Sequence, residues 1–143
     1  MKPNLGQYVQ VINKVVTETE EIGTEMHPYF EEVRTALDTD ETKLTKGTLA
    51  EVHEKFSEGT AKYKELSTMI NGQKPPVKVM GIHKKLEKSY AEYVVACQKM
   101  VDAIDPESGK VDCEAFDLSE KEQDDTSGTV AFCIQRMTGL LMK

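Results

Sequence analysis

Apolar residues recur at alternating steps of three and four along most of this chain, and that period points to packed α-helices. The first run includes Leu5, Val9, Ile12 and Val16 and continues in phase to Leu37. One face of an α-helix repeats at this spacing, whereas a half-buried strand would alternate at every second residue. No segment alternates convincingly, so the sequence predicts an all-α protein.

The first apolar run passes through a proline without losing its phase. Pro28 removes a backbone donor, and its ring clashes with the carbonyl of Thr24 if the helix continues. Two arrangements are open: a single long helix with a kink, or two helices that meet near His27. The unbroken phase favours a single helix that is kinked near Pro28.

A second helix is predicted after a polar connector at residues 38–45. Thr48 and Glu51 have the spacing of a capping box, in which each side chain binds a backbone N–H at the helix start. Asn71-Gly72, followed by two prolines, predicts the end of this helix, because these residues favour a cap and prevent continuation.

The third helix is predicted to run to Ile104, where the sequence Asp105-Pro106-Glu107-Ser108-Gly109 indicates a turn. Residues 111–125 are polar and undecided, and a last helix is predicted to begin near Ser127. Four helices with short connectors favour one domain, residues 1–143, folded as an up-down antiparallel bundle. A three-helix core that lends its last helix to a partner is the alternative.

Charge is arranged in three blocks along the chain. The net charge is −8 over residues 18–41, +5 over residues 43–99 and −8 over residues 102–125. The simplest interpretation is that acidic and basic helices lie side by side and complement each other. The net charge of −7 over the whole chain argues against a general nucleic-acid binder, because such proteins need clustered Lys and Arg.

Five lysines crowd the start of the third helix, where the helix dipole disfavours positive charge. This cluster is a candidate site for an anion or an acidic partner, although a solvated lysine face is the alternative, since no glycine-rich phosphate loop accompanies it. Its members are Lys74, Lys78, Lys84, Lys85 and Lys88.

No motif for catalysis, a cofactor or a metal ion is found. The three histidines lack the Glu-x-x-His spacing of bundle di-iron sites, and the three cysteines share no C-x-x-C spacing. Residues 105–116 resemble an EF-hand loop, but Gly109 and Phe116 stand where that loop needs other residues. We expect His83, Cys97 and Cys133 to be core residues and Cys113 to be accessible.

The last helix is a candidate interface, because Met137 and Met142 accompany two leucines at its end. The candidate interface residues are Leu140, Leu141 and Met142. The chain is therefore interpreted as a non-enzymatic bundle that binds a protein partner or itself. The alternative function, possibly enzymatic, is binding of a small ligand or anion near His83, Tyr90 and Tyr93 or at Lys84, Lys85 and Lys88.

The sequence also suggests where the protein works. No run approaches the roughly 18 apolar residues of a membrane span, and the first residues lack the apolar core of a secretory signal. We therefore expect a cytoplasmic protein with no membrane partner.

Overall fold

Four long α-helices form most of the structure, a computed structural model that describes residues 5–142. They are α1 (Leu5–Thr39), α2 (Lys46–Asn71), α3 (Met80–Asp102) and α4 (Cys113–Leu141). This confirms the predicted all-α class. None of these helices has an apolar stretch long enough to cross a bilayer. Residues 1–4, on which the expectation about a secretory signal depends, lie outside the described part of the chain.

Contacts between the helices show their directions. Gly23 and Met26 of α1 lie beside Tyr63 and Gly59 of α2, so residue numbers rise in one helix as they fall in the other. Residues of α3 and α4 meet in the same antiparallel order, with Lys85 over the ring of Phe132 and Lys99 bound to Glu122.

α1 is one continuous helix with Pro28 inside it. Pro28 is exposed, so water can satisfy the carbonyl that loses its helical hydrogen bond. The arrangement with two helices that meet near His27 is therefore not the one observed. A kink at Pro28 stays a prediction.

α2 begins earlier than predicted. Its N-cap is Thr45, whose Oγ1 accepts a hydrogen bond from the backbone N–H of Thr48 at 3.1 Å. The capping box at Thr48 and Glu51 was therefore placed one turn too late. A short 3-10 turn at Glu41–Lys43 occupies the connector before it, and the predicted end of α2 at Asn71 is confirmed.

α3 ends at Asp102, two residues before the predicted Ile104, and a small hairpin follows it. A 3-10 turn at Val77–Val79 precedes the helix. Two strands of two residues, β1 (Ile104–Asp105) and β2 (Lys110–Val111), pair antiparallel where no strand was predicted. Such short strands have no detectable alternation. The turn between them is closed by backbone N–H groups that donate to Asp105 Oδ1 and by Gly109 at φ +72°.

The prediction that the last helix begins near Ser127 is wrong, because α4 begins at Cys113. Asp112 caps it by accepting a hydrogen bond from the N–H of Ala115 at 3.1 Å. Phe116 and Ser119 are fully buried, so this part of α4 is packed against the bundle. Many of the polar residues that follow them lie on its solvent-facing side. The apolar pattern did not reveal the inward-facing side of this part of α4, because the polar residues Ser119, Gln123 and Thr126 lie on it.

The core has two halves along the bundle axis. The first joins the start of α1, the end of α2, the first part of α3 and the end of α4, with Tyr8, Tyr63, Leu86, Tyr90 and Met137 among its buried side chains. The second joins the other ends of the helices. Its buried side chains include Val33, Leu49, Phe56, Ile104 and Phe116.

Candidate functional site

Three separate segments of the chain meet at one end of the bundle. Tyr8 Oη lies 2.7 Å from Nδ1 of His83 and 3.3 Å from Sδ of Met137, which joins the start of α1 to the start of α3 and the end of α4. The end of α2 packs there through Leu66 and Ile70. We call this region, residues 5–17, 66–86 and 126–142, the basic end.

The basic end contains no Asp or Glu among its described residues, although acidic residues outnumber basic ones in the chain as a whole. It contains six basic residues, and all six are exposed. Lys14 shares a surface groove with Glu18, Glu21 and Glu65, so the positive charge at this end comes mainly from the other five of the six basic residues. These residues are Lys14, Lys74, Lys78, Lys84, Lys85 and Arg136.

The structure brings most of the predicted lysine cluster into the basic end. Lys74, Lys84 and Lys85 have no ion pair within residues 5–142. Lys85 instead lies 5.2 Å from the ring centre of Phe132, which holds its charge beside an exposed aromatic ring. Lys88 is one turn farther along α3, beside Glu87 and Glu92 and outside the basic end.

Apolar side chains are exposed on the same surface. Of the seven large hydrophobic residues that are exposed in the described chain, five belong to the basic end. Met142 and Val77 are more than 80% exposed. Exposed apolar side chains that are concentrated at one end of a bundle offer surface that a partner could cover. The five residues are Leu5, Val77, Met80, Phe132 and Met142.

The predicted interface at the end of α4 is divided between core and surface. Leu140 and Leu141 are half-buried and pack against the core of the basic end, so part of their apolar surface is already used within the chain. Met142 is 82% exposed. Of these three residues, Met142 therefore offers the most apolar surface to a partner.

His83 is buried as predicted and lies directly beneath this surface. Its Nε2 is 2.9 Å from Glu87 Oε1, but the alignment is outside the limits of a hydrogen bond from the ring N–H. Burial, followed by the charge of Glu87, raises the pKa of the Tyr8 hydroxyl well above its ordinary value. Tyr8 therefore stays protonated and can serve as the hydrogen-bond partner of His83.

The opposite end of the bundle has the opposite charge. Residues 31–41 and 102–125, which we call the acidic end, contain fifteen acidic and three basic residues. Arg34 of α1 draws these segments together by binding Asp117 at 2.9 Å and Glu120 of α4. Its guanidinium also lies 4.9 Å from the ring centre of Phe116.

The expectation that acidic and basic helices pair side by side describes only part of the molecule. Lys62 pairs with Glu25 at 3.9 Å, and Lys99 pairs with Glu122 at 2.8 Å. The basic end has no carboxylates of its own with which to form such pairs. Charge is therefore separated along the bundle axis as well as balanced between neighbouring helices.

A second candidate site, the α1–α4 groove, lies between these two helices and has α3 as its floor. Tyr90 and Tyr93 line it, as the alternative function required, but His83 does not. Burial raises the pKa values of both tyrosines well above their ordinary range, so both hydroxyl groups are neutral. The groove has a volume of about 360 Å³.

Within residues 5–142, no group of three or more His, Cys, Asp and Glu side chains could hold a metal ion. Cys97 and Cys133 are buried and Cys113 is exposed, as predicted. Burial raises the pKa of the Cys97 thiol to about 12, which keeps it in the unreactive thiol form.

Sequence reasoning missed both the separation of charge between the ends and the groove. The absence of acidic residues from residues 5–17, 66–86 and 126–142 is visible in the sequence, and antiparallel helices would place these segments together. The groove had no sequence signal, because it is a gap between residues that are more than a hundred positions apart.

Comparison with known proteins adds no further evidence about the site. The chain matches no family model, and neither a curated protein nor a solved structure is significantly similar to it.

Proposed function

We propose that this protein is a non-enzymatic bundle that works by protein–protein interaction, and that its first partner is a second copy of itself. The basic end of one copy would bind the acidic end of the next. The observation that supports this most directly is the separation of charge, with six basic residues and no acidic ones at one end and a net charge of −12 at the other.

Charge complementarity would orient the two copies, and apolar contact would supply much of the affinity. Exposed ion pairs contribute only about 0–1 kcal/mol each, but complementary surfaces accelerate and orient encounter. Val77, Phe132 and Met142 provide apolar surface at the basic end, and Leu118 is an exposed apolar residue at the acidic end. Contact between unlike ends is head-to-tail and can add further copies.

The first experiment is sedimentation analysis across a dilution series at low and high salt. At about 0.01 M salt charges interact over about 30 Å, and at about 1 M over about 3 Å. We expect the average mass to rise with protein concentration at low salt and to rise less steeply at high salt, where charge no longer orients the two copies and apolar contact remains. A monomer at every concentration and salt would contradict the proposal.

Charge-reversal variants then test which surfaces meet. The double substitution Lys74→Glu and Lys84→Glu should abolish association, because it reverses two exposed charges at the basic end. Lys62→Glu with Lys64→Glu changes the net charge equally but lies outside both the basic end and the acidic end, so this variant should still associate. Equal association of both variants would contradict the proposed contact.

A mixture provides the sharpest version of this test. The double substitution Glu107→Lys and Glu114→Lys reverses two exposed charges at the acidic end, and this variant should be monomeric by itself. Mixed with the Lys74→Glu and Lys84→Glu variant, it should form a heterodimer, since its unaltered basic end can bind the unaltered acidic end of the other variant. Failure of the mixture to associate would exclude head-to-tail contact between these ends.

A further inference from the structure

Direct contacts between α1 and α4 lie near one end of the α1–α4 groove and, about 16 Å beyond the first groove residue of α4, on its other side. Tyr8 of α1 contacts Met137 of α4 near one end, and Phe30 stacks on Phe116 toward the other, with ring centres 5.7 Å apart. On α4 the lining extends only from Ser127 to Gln135, about 12 Å at the usual helical rise. A groove of this length is too short for a partner helix of several turns and has the size of a small-molecule site.

Small side chains explain why the groove stays open. Thr19 of α1 and Ser127 and Ala131 of α4 are on its walls, and none of them is long enough to bridge the gap. The floor consists of Leu86, Tyr90 and Tyr93, of which Leu86 and Tyr90 are fully buried. A concave apolar surface with a well-packed floor is typical of preformed ligand sites.

The chemistry of the walls favours an uncharged ligand. Val16, Val130 and Ile134 make the lining largely apolar, and the lining contains no Lys, Arg or His. Glu20 is the single charged residue in it and is exposed, so an anionic ligand would meet repulsion and no compensating cation. A cation would lose water to apolar walls and gain only this exposed carboxylate.

One polar pair in the groove can recognise a hydrogen-bond acceptor. Thr19 Oγ1 and Tyr90 Oη are 2.8 Å apart, so one of the two hydroxyl hydrogens is used between them. The other hydroxyl hydrogen has no acceptor within residues 5–142. A ligand oxygen in the groove could accept this hydrogen in place of water.

We propose that the α1–α4 groove binds a small, uncharged and mainly apolar molecule that presents one carbonyl or ether oxygen to the Thr19–Tyr90 hydroxyl pair. This inference is independent of the proposed self-association, because it uses a different surface and involves no net charge.

The probe for this site is prodan, a neutral naphthyl ketone whose emission shifts to shorter wavelength in apolar surroundings. We expect saturable binding of one prodan molecule per chain with a blue-shifted emission. Because no charge pairing is involved, the affinity should be the same at low and high salt. Emission that rises without saturation would overturn the proposal.

A groove-filling variant locates the binding. Ala131→Phe places a ring between the walls and should weaken prodan binding at least tenfold. Ala91→Phe is the matched control, because Ala91 is exposed on the outer face of α3 and α4. Equal binding by both variants would overturn the proposal. Ser127→Leu fills the same groove and replaces Ala131→Phe if that variant does not fold.

A third comparison separates this site from the basic end, which also exposes apolar side chains. The double substitution Lys74→Glu and Lys84→Glu should leave prodan binding unchanged even where it abolishes self-association. Loss of prodan binding in that variant, with full binding by Ala131→Phe, would place the probe at the basic end and contradict the assignment to the groove.

Discussion

Tyr8 is the residue that joins three helices at the basic end. Its hydroxyl lies within hydrogen-bond distance of His83 in α3 and Met137 in α4, and its side chain is 1% exposed. A buried ring nitrogen without a partner destabilises the folded state, because it has lost its hydrogen bonds to water. The surface proposed to bind a partner therefore depends on a polar contact directly beneath it.

Replacing Tyr8 by Phe should lower the free energy of unfolding by about 1–3 kcal/mol, because the substitution leaves Nδ1 of buried His83 unpaired. Urea unfolding followed by circular dichroism measures the change. Tyr29→Phe is the control, since Tyr29 is half-buried and its hydroxyl has no hydrogen bond within residues 5–142. Equal losses for the two variants would mean that the Tyr8–His83 contact contributes nothing.

α4 is the element whose start depended most on tertiary contacts. Its first half is polar, and Ser119 Oγ donates to the backbone carbonyl of Ala96 at 2.5 Å while Gln123 Nε2 donates to Ser119 Oγ at 3.0 Å. These hydrogen bonds satisfy polar groups on the inward-facing side of α4, which would otherwise be costly to bury. α1 meets the same half of α4 through Arg34.

Replacing Arg34 by Ala should lower the free energy of unfolding by about 1–2 kcal/mol. The substitution removes the contacts to Asp117 and Glu120 and the packing of the guanidinium on Phe116. Lys62→Ala is the comparison, because its single, mostly exposed pair with Glu25 should change stability by no more than about 0.5 kcal/mol. A larger loss for Lys62→Ala in urea unfolding would contradict this ranking.

At the scale of the whole molecule, buried tyrosine and cysteine side chains that stay neutral in the folded state make the fold sensitive to high pH. Burial raises the pKa of Tyr63 from 10.0 to about 12 and that of Cys97 from 9.0 to about 12. Burial also holds the pKa values of Tyr8, Tyr90 and Tyr93 well above their ordinary value. Each of these groups binds its proton more tightly in the folded state than in the unfolded chain.

The stabilisation from these protons is complete below about pH 9 and is lost as the pH rises toward 12. We expect the absorbance of ionised tyrosine at 295 nm and the loss of helical circular dichroism to change together in this range. Tyr63→Phe should make the fall of stability with pH less steep by about one proton. Ionisation of the buried tyrosines before any loss of helix would contradict the prediction.

Local patterns determined the class of the protein, the number of helices and much of its core. The three-four period that runs through α2 and α3 depends only on neighbouring residues, so it correctly placed Phe56, His83 and Tyr90 on buried faces. The same period explains why Cys97 and Cys133 are buried while Cys113 is not.

Only the tertiary structure decided where α4 begins, which charges share an end and where the groove lies. Ser119 and Gln123 can lie on the inward-facing side of α4 because Ala96 and Met100 of α3 accept their hydrogen bonds. No local sequence pattern shows that these partners will be there. The basic end and the α1–α4 groove likewise arise between segments that are distant in sequence. Helical periodicity indicates which face of a helix is buried, whereas contacts between distant residues determine what covers that face.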